Sequence, residues 1–301
     1  MKGRVAISVI GALLAVCSCR NNPGKAGEFT LVNSDSLAAS ANPGAEAVEE
    51  IYRNLSSPLE IANLFQVMGV PFSPAYLASA VDANEQTTSF QKALYLGILG
   101  ADLGYLNMYE KTGTAIELVS SIKKLADGLN VGQYFDFETI KRVSLGKSNI
   151  DSLLFLSVDS YSRMDEYLRK NNRSQLSALM VVGVWLEAQY FSTQVIRQYP
   201  NNLLRERIGE QKSFLDDLIR IFTPYCDYDR EFKAMCGYLS DIASRYENVK
   251  ITYSKGEPSS SEKDGRLVVT QTETSMVEMT DEQLNQIIEI TGIIRNKLIS
   301  N

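Results

Sequence analysis

The sequence contains no histidine. That absence removes the commonest general base and the commonest metal ligand. Ser-His-Asp and Cys-His hydrolases, zinc sites built on histidine and haem held by histidine are excluded with it. Carboxylate-only chemistry survives the exclusion. Basic runs interleaved with aromatic residues are also missing. Lys and Arg number 30 against 36 Asp and Glu, a net charge of −6. An acidic chain repels phosphate backbones, so nucleic acid is not an expected partner. Tryptophan occurs once, at Trp185, and reads as a core residue. Between residues 45 and 248 no stretch alternates apolar and polar residues for long, as a half-buried strand would.

What is present is helical periodicity. The chain is organised around Gln91 to Lys111, QKALYLGILGADLGYLNMYEK. Leu94, Ile98, Ala101 and Tyr105 share one helical face, while Leu96, Leu99, Leu103 and Leu106 share another. A helix apolar on nearly all sides belongs inside a bundle. A second such segment runs from Leu176 to Phe191 and extends to Tyr199, where Pro200 stops it. Each holds a single acid, Asp102 in the first and Glu187 in the second. A Tyr follows each acid by three residues (Tyr105, Tyr190), on the same face about one turn on. Gly97, Gly100 and Gly104 fall inside the first segment, so they form no phosphate loop and are expected to permit close helix approach.

At the N-terminus Lys2 and Arg4 precede an apolar run, Val5 to Val16. This run is shorter than the roughly 20 residues of a membrane span and reads as a signal peptide over 1–18. Val16, Cys17 and Ser18 before Cys19 resemble the lipobox of bacterial lipoproteins: an aliphatic residue, a tolerated one, a small one, then Cys. The resemblance implies that Cys19 becomes the first mature residue and carries acyl chains, which anchor additively. In that family an Asp after the Cys marks inner-membrane retention, and an acidic cluster marks surface export. Arg20 follows here, so the resemblance implies an outer-membrane anchor facing the periplasm.

Residues 19–44 are rich in Asn, Gly, Ser, Ala and Pro and read as a flexible tether. Ala45 to Leu55 and a segment opened by the capping box of Ser57 and Glu60, which stops at Gly69, are helix candidates. Ser73-Pro74 is expected to open another, with Tyr76, Leu77 and Val81. After the first central helix, broken at Gly113, come helices over 114–125, after Asp136, over 151–169, then the second central helix, 203–222 and 229–246. Tyr134-Phe135-Asp136-Phe137-Glu138 is echoed by Tyr225-Cys226-Asp227-Tyr228-Asp229, each before a helix. Two readings of 45–248 stay open: two copies of one four-helix unit (74–146 and 150–248), or one undivided bundle. The tetratricopeptide spacing is absent. In 249–301, Val249 to Tyr253 and Leu267 to Glu273 carry strand chemistry, joined by a polar loop. A capping box at Thr280 and Gln283 then starts a final helix. The fold class is thus all-α, a multi-helix bundle with a small C-terminal β-hairpin and a last helix docked on it.

Asp102 and Glu187 are the best site candidates. As a facing pair they could hold a cation or a small ligand with Tyr105 and Tyr190. As structural residues each would bond a Tyr, an Arg or a backbone donor and fix helix register, which is the usual fate of buried polar groups. Di-iron bundles place acids similarly but need a Glu-x-x-His element. Asp136 and Asp227 read as helix caps with aromatic staples. An envelope location permits a disulfide between Cys226 and Cys236, but a helical interval would put nearly three turns between them and a bridge needs α-carbons within about 7 Å, so the reading leans to two buried thiols, or one buried and one partly exposed, with the bridge left open. The expectation is a membrane-anchored helical interaction or scaffold module. It has no catalytic role, metal or cofactor, and its partners are the membrane, through the lipid, and another envelope protein. A small-ligand or metal-binding protein using the central carboxylates is the alternative, and a carboxylate-only enzyme acting on glycans comes third.

Overall fold

A computed structural model describes residues 64–78, 81–145, 150–255, 259–263, 266–270 and 273–300. The signal peptide, the tether, the helix candidate over 45–55 and the capping box at Ser57 lie outside them. The architecture is an all-α bundle followed by a hairpin and a final helix: α1 (Ser89–Met108), α2 (Thr112–Gly128), α3 (Phe137–Leu145), α4 (Ile150–Lys170), α5 (Ser174–Gln198), α6 (Asn202–Phe222), α7 (Arg230–Tyr246), strands β1 (Lys250–Lys255), β2 (Ser259–Lys263), β3 (Arg266–Thr270) and β4 (Glu273–Glu278), and α8 (Asp281–Ile299).

The two central helices, α1 and α5, form the largest interface in the molecule. Apolar residues on every side of α5 leave only Ser174, Val184, Gln194, Arg197 and Gln198 out of the interior. Contacts advance along both helices together: Gly97 meets Met180, and Tyr105 stacks on Phe191 with ring centroids 4.8 Å apart. The helices therefore run parallel. They cross where two glycines coincide. A Cβ on Gly97 would lie 2.1 Å from the Met180 carbonyl oxygen, and one on Gly183 would lie 2.4 Å from that of Leu94. Of the three glycines of α1, only Gly97 serves close approach; Gly100 and Gly104 have open space where a Cβ would stand.

Around this pair the element order repeats. A central helix, a second helix, a 3-10 turn and a capped helix follow one another as α1, α2, Gly132–Tyr134, α3 and again as α5, α6, Thr223–Tyr225, α7. The side-chain oxygens of Asp136 and Asp229 accept the capping hydrogen bonds, from the Thr139 and Phe232 N–H groups at 3.0 and 2.9 Å. Asp229, two residues beyond Asp227, is the cap of α7. In place of the expected staples, which would join the residue before the cap to the fourth helical residue, Phe135 stacks on Phe137 at the first helical position and Tyr228 packs edge-on against Phe232 at the third. The parallel in element order does not extend to what precedes the two central helices. Ser73-Pro74 opens only a 3-10 turn, Pro74–Tyr76, where α4 stands in the second half.

Several boundaries shift for local reasons. α1 ends at Met108 and the chain reverses through Glu110 at φ 53°, so Gly113 falls in the first turn of α2. Asn130 and Asn172 supply the other left-handed turns, at φ 59° and 55°, a conformation Asn tolerates well. Gly69, at φ 67°, follows the helical turn over 64–67.

Cys226 and Cys236 are joined in a disulfide with α-carbons 5.8 Å apart, which corrects the expectation of free thiols. Their ten-residue separation is not helical throughout. Cys226 follows the 3-10 turn, the chain reverses at 227–229, and Cys236 sits in the second turn of α7. The polar loop expected within the hairpin is also corrected. β1 pairs antiparallel with β4, and β2, which is the Ser-rich stretch, pairs with β3. The base of the hairpin rests on α6: Val277 covers Gly209, and Lys212 donates to the carbonyl oxygens of Val249 and Glu247 at 2.7 and 3.0 Å.

Candidate functional site

Asp102 and Glu187 do face each other across the α1–α5 interface, 2% and 0% exposed. Their partners come from two other elements. The Ala78 N–H, just past the 3-10 turn, donates to Asp102 Oδ2 at 3.0 Å. Arg295 reaches in from α8. Its Nε donates to Glu187 Oε2 at 2.9 Å and one Nη2 hydrogen bond goes to Glu187 Oε1, while Nη2 also donates to the Tyr76 carbonyl oxygen at 2.9 Å. The guanidinium lies over the Tyr190 ring, 4.2 Å from its centroid, in a cation–π contact. One arginine thus ties α8 to α5 and to the turn before α1.

The two carboxyls differ in charge. Burial raises Asp102 well above the ordinary Asp range, and the neighbouring Glu187 charge raises it further; the Ala78 N–H and Arg295 act the other way without prevailing. Burial raises Glu187 too, opposed by its bonds to Arg295 and by the hydrogen bond it shares with Asp102. Arg295 is held protonated by Glu187. Since two adjacent buried carboxylates against one cation would leave an uncompensated charge, the raised Asp102 is the group that carries the proton, and its Oδ1 accepts from no donor among the described residues. The group is neutral: Asp102 acid, Glu187 carboxylate, Arg295 guanidinium.

The two tyrosines following the acids serve different ends. Tyr190 is the surface under Arg295. Tyr105 makes no bond to Asp102; its hydroxyl accepts from the Ser73 N–H at 3.0 Å. Its ring lies among Phe72, Tyr76, Tyr109 and Phe191, and burial raises its phenol above the usual range. Tyr109 is anchored likewise, through a 2.9 Å bond to the Val70 carbonyl oxygen. These aromatics hold the 70–76 segment against α1.

Sequence reasoning brought together the two acids and missed Arg295. The signal was present. Arg295 is a lone cation on the buried stripe of α8 that includes Leu284, Ile287, Ile288, Thr291, Ile294 and Leu298. Trp185 is the core residue its solitude suggested, 2% exposed, with its indole N–H bonded to Gln211 at 3.1 Å. A third buried acid, Asp165, is engaged by Arg169 Nε at 2.6 Å and by the Ser177 hydroxyl. Among the described residues no three His, Cys, Asp or Glu side chains converge as a metal site would require, and no helix is long and apolar enough to cross a membrane. Comparison of the chain with protein-family models, with characterised proteins and with solved structures finds no match.

Proposed function

We propose that the protein is a membrane-anchored lipoprotein of the cell envelope whose helical body works as an interaction or scaffold module. The observation that carries this reading is the N-terminal pattern: Lys2 and Arg4, the apolar run to Val16, and the lipobox-like Val16-Cys17-Ser18 before Cys19. A further support comes from the body. The Cys226–Cys236 disulfide suits an oxidising compartment such as the periplasm and is uncommon where thiols are kept reduced. The role proposed involves no catalysis, metal or cofactor. Against using the central carboxylates as a ligand site stands their present engagement, since Glu187 is bound bidentately by Arg295 and Asp102 Oδ2 accepts from the Ala78 N–H.

The test is the chemistry of the mature N-terminus. Mass spectrometry of the protein from membranes is expected to find Cys19 as first residue, carrying acyl chains, in the outer-membrane fraction. Cys19→Ala is expected to abolish acylation and leave an uncleaved precursor. An unmodified N-terminus at any other residue overturns the anchor. In-cell cross-linking of the wild type should then capture an envelope protein, and Cys19→Ala should lose it.

A further inference from the structure

Residues 70–78 lie against the bundle with little secondary structure of their own. Only the 3-10 turn Pro74–Tyr76 is regular, and Ser73 and Leu77 on either side of it are extended. The sequence accounts for the extension. Pro71 and Pro74 each fix their own φ and push the residue before them out of the helical region.

Side chains of α1 and α8 hold this strap by its backbone at four places. Tyr109 donates to the Val70 carbonyl oxygen at 2.9 Å, and the Ser73 N–H donates to the Tyr105 hydroxyl at 3.0 Å. Arg295 donates to the Tyr76 carbonyl oxygen at 2.9 Å, and the Ala78 N–H donates to Asp102 at 3.0 Å. Two rings anchor the strap between these points. Phe72 lies 5.6 and 5.7 Å from Tyr105 and Tyr109, with the Lys111 ammonium 4.9 Å from its centroid, and Tyr76 lies 6.2 Å from Tyr105. Pro71 and Pro74 stay exposed.

A groove binds a peptide in the same way. Receptor groups pair with the main chain of the ligand, pockets take its spaced side chains, and segments with two prolines three apart dock on aromatic linings because they are already extended. The strap carries that spacing as Pro71-Phe72-Ser73-Pro74. The lining is Tyr105 and Tyr109, with Phe191 stacked behind Tyr105 at 4.8 Å. Contacts to the backbone do not depend on the ligand's sequence, so another chain of the same extended form can make them.

We infer that the face of α1 and α8 beneath residues 70–78 is a peptide-binding groove, which the strap fills in cis and from which an extended, proline-containing segment of a partner protein displaces it. This rests on the interaction-module reading, to which it gives a place and a partner chemistry, and it is independent of the membrane anchor. A tethered strap competes at high effective concentration, so the groove stays closed until the strap opens.

Two measurements on the full chain test it. In the wild type the Ser73 and Ala78 amides should exchange with deuterium through local opening, at least about 100-fold faster than the Ile98 amide inside α1. A single rate for all three means that the strap leaves only with global unfolding, and overturns the groove. The second measurement uses the fluorescein-labelled peptide VPFSPAYLA, the strap's own sequence. Phe72→Ala combined with Tyr76→Ala is expected to melt cooperatively and to bind this peptide at least about tenfold more tightly than the wild type, whose strap competes for the groove. Adding Tyr109→Phe should weaken that binding by about 2- to 10-fold, the share of one hydrogen bond. A peptide with Ala in place of its Phe and Tyr should not bind. A double variant that fails to fold, or that binds the peptide no better than the wild type, shows the strap to be fixed core and overturns the inference. Either failure leaves the interaction module standing where in-cell cross-linking still captures an envelope protein, which then sits on another surface.

Discussion

Glu187 and Arg295 stand 108 residues apart in the chain and meet inside the bundle, their side chains 0% and 3% exposed. Removing two charges from water costs several kcal/mol per ion, which only good geometry and further hydrogen bonds offset. Here the fork of the guanidinium matches the carboxylate, and its remaining donors reach Tyr76 and Asn296. The pair adds little to stability compared with an apolar replacement, but it specifies a place. α8 is fixed along its axis relative to α5 and to the turn over Pro74–Tyr76. Tyr95, whose hydroxyl donates to the Leu298 carbonyl oxygen at 2.6 Å, fixes the same helix near its end.

Asp102 makes the protein take up a proton on folding. Its value rises from 3.8 in the unfolded chain to well above that in the native state. For a raised group the stabilising contribution is complete below the unfolded value and is lost as pH rises towards the folded one. Between those limits the loss approaches about 1.4 kcal/mol per pH unit. Asp102→Asn has no proton to gain, can accept from Ala78 and can donate to Glu187. It is expected to raise the melting temperature at pH 7–8, by an amount that shrinks as the pH falls towards 4. Parallel melting-temperature profiles for the two proteins would falsify the proton assignment.

Gly97→Ala and Gly183→Ala each place a methyl group on a backbone carbonyl of the facing helix. Backbone cannot swing aside as a side chain can, so α1 and α5 must separate. A loss of about 1–3 kcal/mol is expected, the usual cost of overpacking. Gly104→Ala meets open space and should stabilise by up to about 1 kcal/mol through helix propensity. Urea unfolding of the three variants should give opposite signs; equal effects at positions 97 and 104 would contradict the crossing point.

The disulfide between Cys226 and Cys236 closes the turn from α6 to α7 across a short loop. Replacing both by Ser is expected to cost about 2–3 kcal/mol through the entropy returned to the unfolded chain. Alkylation in denaturant should find neither thiol free in the native preparation. Two labelled thiols would return Cys226 and Cys236 to the buried-thiol reading.

The bundle was legible because α1 and α5 are apolar all round and because Asp136, Pro200 and Thr280 punctuate the chain with ordinary chemistry. Periodicity says which faces are buried. It does not say what they are buried against. Gly97 and Gly104 look alike in sequence, and only the path of α5 separates them. The Cys226–Cys236 bridge was hidden by treating the interval as continuous helix, and β2 by serines that carry no alternation. Arg295 belonged with Glu187 from the start, but a partner 108 residues away is set by tertiary docking, which local pattern does not encode.

The neutral triad has one consequence that separates it from a simple ion pair. In Glu187→Gln the Arg295 charge loses its carboxylate while staying buried, and breaking such a pair costs about 3–5 kcal/mol. Asp102 can limit that loss. With the Glu187 charge gone, one cause of its raised value disappears, while the pull of Arg295 towards ionisation remains. Asp102 is then expected to release its proton and become the counter-ion. Asp102→Asn should therefore change sign with context: stabilising in the wild type, destabilising in Glu187→Gln. The double variant would fall below Glu187→Gln alone, and the coupling in a double-mutant cycle should exceed the roughly 0.5 kcal/mol at which independent sites still count as additive. Chemical melts of the four proteins at pH 7.5 decide it. If Asp102→Asn has the same effect in both backgrounds, Asp102 and Glu187 do not share the charge of Arg295, and Asp102 is only the acceptor for the Ala78 N–H.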